Sequence, residues 1–126
     1  MAKTKQFSSS VDNILKTWII LLGLSEWDIS WRIASEKSDI SEDSLAEVQV
    51  ESSVKWAHIV IAPLSKFEAE VDRSLQQVLI HELLHIKFAL IQPDDLDTTE
   101  YRVQHQLIDE LATTLDLIKP KKDLNK

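Results

Sequence analysis

The sequence predicts an α+β domain with an N-terminal helix, a small and mostly antiparallel three-stranded sheet, a buried central helix and a C-terminal helix. Three observations carry this. Apolar residues recur at helical spacing through residues 11–22. Three short stretches between residues 27 and 62 alternate apolar with polar or are rich in β-branched side chains. Residues 75–91 are apolar almost all the way round a helix, the pattern of an element buried in the middle of a domain. A length of 126 residues suits one domain that can bury a core, and 44% hydrophobic with 28% charged residues is ordinary for a soluble globular chain.

In order, residues 1–9 are polar and read as a flexible N-terminus, with the domain expected over residues 10–118. Ser10 is a candidate N-cap, and Val11, Ile14, Leu15, Trp18, Ile19 and Leu22 form one amphipathic stripe. Gly23, the only glycine, falls where the stripe stops, as a C-cap needing positive φ would. Residues 27–33 alternate strictly and read as a half-buried strand whose Trp27 and Trp31 feed the core. Residues 35–44 form a polar, acidic loop; Asp39, Glu42 and Asp43 lack the spacing and glycine of an EF-hand, so calcium is not expected. Residues 46–51 and 54–62 read as a hairpin turning near Ser52 and Ser53 without the usual glycine, ended by Pro63. His58 reads as an ordinary strand histidine. Residues 64–70 lead in, Asp72 or a neighbour caps the central helix, and that helix runs to about Ile91 before Pro93 and a turn at residues 94–97. Thr98 or Thr99 caps the last helix; Tyr101, Ile108, Leu111, Leu115 and Ile118 mark its core stripe, and Pro120 ends it ahead of a basic tail at residues 119–126.

The formal net charge of −7 argues against nucleic-acid binding through phosphate contacts. With no cysteine, neither a disulfide nor a thiolate metal site can form, so a transition metal would have to use histidine and carboxylate. The apolar run at residues 18–24 is too late and too short for a signal segment and far too short to span a membrane, so a cytoplasmic protein is expected.

The chemistry-bearing stretch is His81-Glu82-Leu83-Leu84-His85. On a helix, positions i and i+4 share a face, so His81 and His85 can present two imidazoles to one metal ion. Glu82 projects roughly 100° round from His81, close enough to act on a metal-held water without being a ligand. That is the arrangement of a zinc hydrolase. The expected work is hydrolysis, with Zn2+ polarising the scissile carbonyl and Glu82 taking the water's proton and passing it to the leaving amine. Catalytic zinc takes three protein ligands, and position 91, where a metzincin-type continuation needs histidine, holds Ile91. The third ligand is therefore expected on the last helix, where Glu100, His105, Asp109 and Glu110 are the candidates. His105 is the best of these; Glu100 is the main alternative, since it falls nearer the centre of the apolar stripe. Asp109, at i+4 from His105, could accept from the far nitrogen of a zinc histidine and set its tautomer. Tyr101, one turn before His105, could donate to a developing oxyanion, or simply fill the core.

These residues resemble a known group. The order of helix, short sheet, HExxH helix and second helix is similar to the minimal zincin metallopeptidases of the gluzincin branch, and most similar to small metallopeptidase-like proteins of phages and prophages. Trp27-Asp28-Ile29-Ser30-Trp31, Ala57-His58-Ile59-Val60-Ile61 and the HELLH stretch carry the resemblance over roughly residues 25–118. It implies a zincin-like fold, a peptide or protein substrate, and a third ligand that in gluzincins is glutamate where this chain has His105. It also implies that the strand at residues 57–62 is the sheet edge that binds an extended peptide. The alternative is a catalytically weak or inactive zincin-fold protein that holds a metal and binds a partner.

Overall fold

A computed structural model of the chain describes residues 2–35, 40–41, 43–70, 72–91 and 98–118. The fold is α+β, with four helices and a three-stranded mixed sheet among the described residues. The expectations for residues 36–39, Glu42, Pro93, the turn at residues 94–97, and Pro120 with its basic tail lie outside the described residues.

Helix α1 spans Ala2–Leu21, so residues 2–9, expected ahead of the domain, are helical, and Ser10 lies within the helix rather than at its cap. The helix starts early because Phe7 extends the apolar stripe: Phe7, Val11, Leu15 and Trp18 are all buried, and the Phe7 ring lies 5.4 Å from that of Phe67. Gly23 does close the helix. At φ 73° it places its own N–H on Ile20 O (3.1 Å) and the Leu24 N–H on Ile19 O (2.8 Å), the paired bonds of a Schellman cap. Leu24 is then buried against the helix it follows.

Strands β1 (Asp28–Ile33), β2 (Ala46–Glu51) and β3 (Trp56–Ile61) order as β1-β3-β2. β3 is central, parallel to β1 and antiparallel to β2. Two findings differ from expectation. The sheet is evenly mixed rather than mostly antiparallel, and the strand at residues 57–62 is not an edge. Its buried row Ala57, Ile59, Ile61 explains why: a strand this apolar is most stable with neighbours on both sides. The hairpin turn uses a short 3-10 segment, Ser52–Val54, and sets Lys55 at φ 52°, so lysine takes the left-handed position a glycine would hold.

Residues 64–69 are a short helix, α2 (Leu64–Ala69), rather than a plain lead-in. The central helix α3 (Leu75–Lys87) is capped by Ser74, whose Oγ accepts from Gln77 N at 3.0 Å, and not by Asp72. It ends at Lys87, and residues 89–91 tighten into a 3-10 turn, a common way for a helix to close. Val78, Leu79, Ile80, Leu83, Leu84 and Ile86 are all buried, so α3 is the spine on which α1, β2 and the last helix pack.

Helix α4 (Thr99–Asp116) is capped by Thr98, which accepts from Tyr101 N at 3.2 Å. It buries only Ile108 and Ala112; Leu111 and Ile118, expected in the core, are exposed. A polar ladder to α3 sets this rotation. Ser74 Oγ donates to Asp116 Oδ1 (2.8 Å), Gln76 Nε2 to Asp116 O (3.3 Å) and Gln77 Nε2 to Thr113 Oγ1 (3.0 Å). Gln76 also accepts from Trp18 Nε1 at 3.1 Å, joining three helices through one amide. Ser74 works at both ends, as cap and as rung. Ser74→Ala should lower stability by about 1–2 kcal/mol, read as a fall of several degrees in thermal midpoint. A change within error would show that the cap and the Asp116 bond carry no weight. No helix among the described residues is long and apolar enough to cross a membrane.

Candidate metal centre

Three elements build the site. α3 brings His81, Glu82 and His85; α4 brings Tyr101, His105 and Asp109; β2 forms the facing wall with Ala46, Glu47, Val48 and Val50. Between them lies an open cleft of about 930 Å³, within the usual range for a ligand site.

His81, His85 and His105 each offer a ring nitrogen, and these atoms all lie within 4.8 Å of one another. His81 Nε2 and His85 Nε2 are 3.1 Å apart. Two nitrogens on one tetrahedral zinc, each about 2.0–2.1 Å from the ion, stand about 3.3 Å apart, so the helical pair already has the edge length of such a site. The rings meet centroid to centroid at 4.8 Å (His81 to His85), 5.4 Å (His81 to His105) and 5.3 Å (His85 to His105). A donor set of three converging imidazoles is close enough to hold a metal ion.

Asp109 fixes the orientation. Its Oδ1 lies 2.9 Å from His81 Nδ1, and its Oδ2 lies 3.6 Å from His105 Nδ1. A proton on His81 Nδ1, donated to that carboxylate, leaves Nε2 as the lone-pair nitrogen turned toward His85. Tyr101 lines the same cleft with its ring 6.0 Å from that of His105. Glu100 and Glu110 are exposed and do not line the cleft. Glu100 sits about 100° round the helix from Tyr101 and about 140° from His105, turned toward solvent by the helix's rotation. His58 lies on the other face of the sheet, its Nδ1 hydrogen-bonded with Ser30 Oγ at 2.7 Å.

Burial dominates the electrostatics. It holds His81 below the ordinary imidazole value against the pull of Asp109, and pushes His85 down to about 4, helped by its two histidine neighbours. Both rings are therefore neutral at pH 7, the form that ligates. Burial also pushes the Glu82 carboxyl up to about 8, reinforced by Glu47 and opposed by Arg73. Glu47, Arg73 and Gln77 complete the cleft and were not anticipated. Glu47 alternates with apolar residues as a solvent-facing strand residue would, and Arg73 precedes the cap; neither position marks itself in the sequence.

These shifts define how the metal-free protein responds to pH. Glu82 has a raised folded value, so its contribution is present below the ordinary 4.5 and is lost as pH rises through about 8. His85 has a depressed one, so its contribution is present above 6.5 and is lost as pH falls through about 4. His81, also held below its ordinary value, acts in the same sense as His85; the histidines oppose Glu82 between 4.5 and 6.5, and Glu82 dominates above 6.5. In chelator, stability should fall by about 1 kcal/mol from pH 6.5 to 8, measured by urea melts. A flat profile over that window would show that Glu82 is not held protonated.

Compared with known proteins, the chain matches no family model, no curated protein and no solved structure.

Proposed function

We propose that this chain is a zinc-dependent hydrolase that cleaves peptide bonds. The observation that carries the reading is the convergence of His81, His85 and His105 beside the buried Glu82 carboxyl in an open cleft. Imidazole suits several transition metals, but three imidazoles beside a carboxylate that is not itself a ligand are the donor set of hydrolytic zinc. Zinc bound there would supply Lewis acidity to a carbonyl and to a water.

The chain's own groups do the rest. Asp109 keeps His81 turned with Nε2 inward. Glu82, once a nearby cation draws its carboxyl down from about 8, accepts a proton from water and returns it to the leaving amine. Tyr101, which lines the cleft, would donate to the developing oxyanion. Peptide is the favoured substrate class because the cleft wall is a strand edge. The Ala62 N–H bonds Leu45 O at 2.8 Å, so by antiparallel alternation Ala46, Val48 and Val50 turn their own N–H and C=O groups away from β3. An extended chain can add there as a further strand, on β2 and not on the strand at residues 57–62.

A second reading has its own observation. Glu82 is only 7% exposed, which suits a structural carboxyl in a metal-holding, partner-binding protein as well as a proton carrier. Elemental analysis of purified protein and digestion of a casein-derived peptide mixture separate the two. Stoichiometric zinc, with cleavage lost in chelator and restored by zinc, supports the enzyme. Stoichiometric zinc without cleavage moves the assignment to the binding protein. Absence of zinc from a normally folded chain overturns both.

A further inference from the structure

The feature left unused by the site is the outer face of α4. Val103, Leu107 and Leu111 are 50%, 53% and 39% exposed, and Ile118 continues their line at 52%. The first three recur at i, i+4 and i+8, one ridge along the helix, and Ile118 follows at i+15, just past the helix end at Asp116. At its N-terminal end the ridge meets Ile91, whose carbonyl accepts from Gln104 Nε2 at 3.4 Å, and Leu90; these two are 68% and 74% exposed. The polar ladder to α3 is the cause, since turning Asp109, Thr113 and Asp116 inward leaves half of α4's apolar arc facing water.

We propose that this ridge is the contact of a two-fold dimer, α4 packing against α4 of a second copy. The area is the first argument. Those six residues expose roughly 600 Å² per copy, well beyond scattered single hydrophobics, and a two-fold contact that covered all of it would bury at most about 1,200 Å², where stable interfaces begin. The shape is the second. An isologous contact needs one surface complementary to itself. A ridge of i±4 side chains packs into the matching grooves of an identical helix at a crossing of about −50°, the commonest packing of two helices. Centring the axis on Leu107 sets Leu107 against its counterpart and Val103 near the other copy's Leu111. A membrane fits less well: beside the ridge on the helix itself stand Glu100 and Glu110, on a chain of net charge −7, and lysines at 119, 121 and 122 follow only past the helix end.

The arrangement does not depend on the proposed chemistry and is compatible with it. Leu107 and His105 stand about 160° apart round the helix, so the dimer covers the back of α4 and leaves the cleft open. A dimer braces from behind the helix that carries His105 and Asp109.

Sedimentation velocity from low micromolar to several hundred micromolar tests this. The expected result is a mass twice 14.5 kDa at the upper end. Leu107→Glu should weaken association by at least about a hundredfold while leaving the far-ultraviolet circular dichroism unchanged. A cross-linking variant guards against misfolding. The chain has no cysteine, so Leu107→Cys should oxidise quantitatively to a disulfide-linked dimer, and Ile20→Cys, exposed on α1, should not. A monomer at every concentration overturns the proposal, as does a dimer indifferent to Leu107→Glu, or capture on anionic vesicles in place of self-association.

Discussion

Zinc-loaded Glu82→Gln is expected to keep its metal and lose peptide hydrolysis by about 10³-fold, the upper part of what a positioned general base contributes. Glutamine matches the buried carboxyl in size, so packing at a position only 7% exposed is preserved. What is lost is the ability to accept a proton. The measurement pairs zinc stoichiometry with peptide turnover, and a built-in control accompanies it. Metal-free Glu82→Gln should also lose the stability decline between pH 6.5 and 8, because the group whose carboxyl is pushed up to about 8 is gone. Flattened stability with undiminished turnover would show that Glu82 is buried where the structure puts it and is not the base.

The second large effect is on the metal. His105→Ala should raise the zinc dissociation constant by more than about 100-fold, since removing a ligand costs more than the 10–100-fold typical of its supporting groups. The side chain of His105 is 42% exposed, so the metal-free fold should hardly notice the change. His105→Glu should recover most of the lost affinity by restoring a third donor, and Asp109→Asn should cost only about 10–100-fold, by loosening His81. Competition with a fluorescent zinc chelator gives all three values. Unchanged affinity in His105→Ala would leave two ligands on one helix and break the triad.

How much of this was legible depends on whether the information was local. His81 and His85 sit at i, i+4 of one helix, and a helix fixes that relation whatever packs around it. Gly23 was readable for the same reason: a left-handed cap is a property of one residue. Phe7 was missed because a single apolar residue among polar ones does not announce a helix until Phe67 is there to pack on it. The order β1-β3-β2 was missed because alternation tells which face a residue takes, not which strand lies beside it.

The face α4 turns inward shows the boundary most clearly. Read as a stripe, its sequence centres the core on Leu111 and Leu115 and makes Glu100 a rival ligand. The structure turns the helix so that Tyr101, His105, Ile108 and Ala112 face inward and Glu100 outward. Hydrophobic periodicity is a sum over one helix and knows nothing of Ser74, Gln76 and Gln77 on another. The hydrogen bonds those residues make to Asp116 and Thr113 select the rotation, and they exist only once the two helices lie side by side. The sequence by itself determined that two imidazoles and a carboxyl share one buried helix. Only the tertiary structure decided that His105 joins them, because a ligand from a second helix is placed by that helix's rotation, which packing and polar pairing set together.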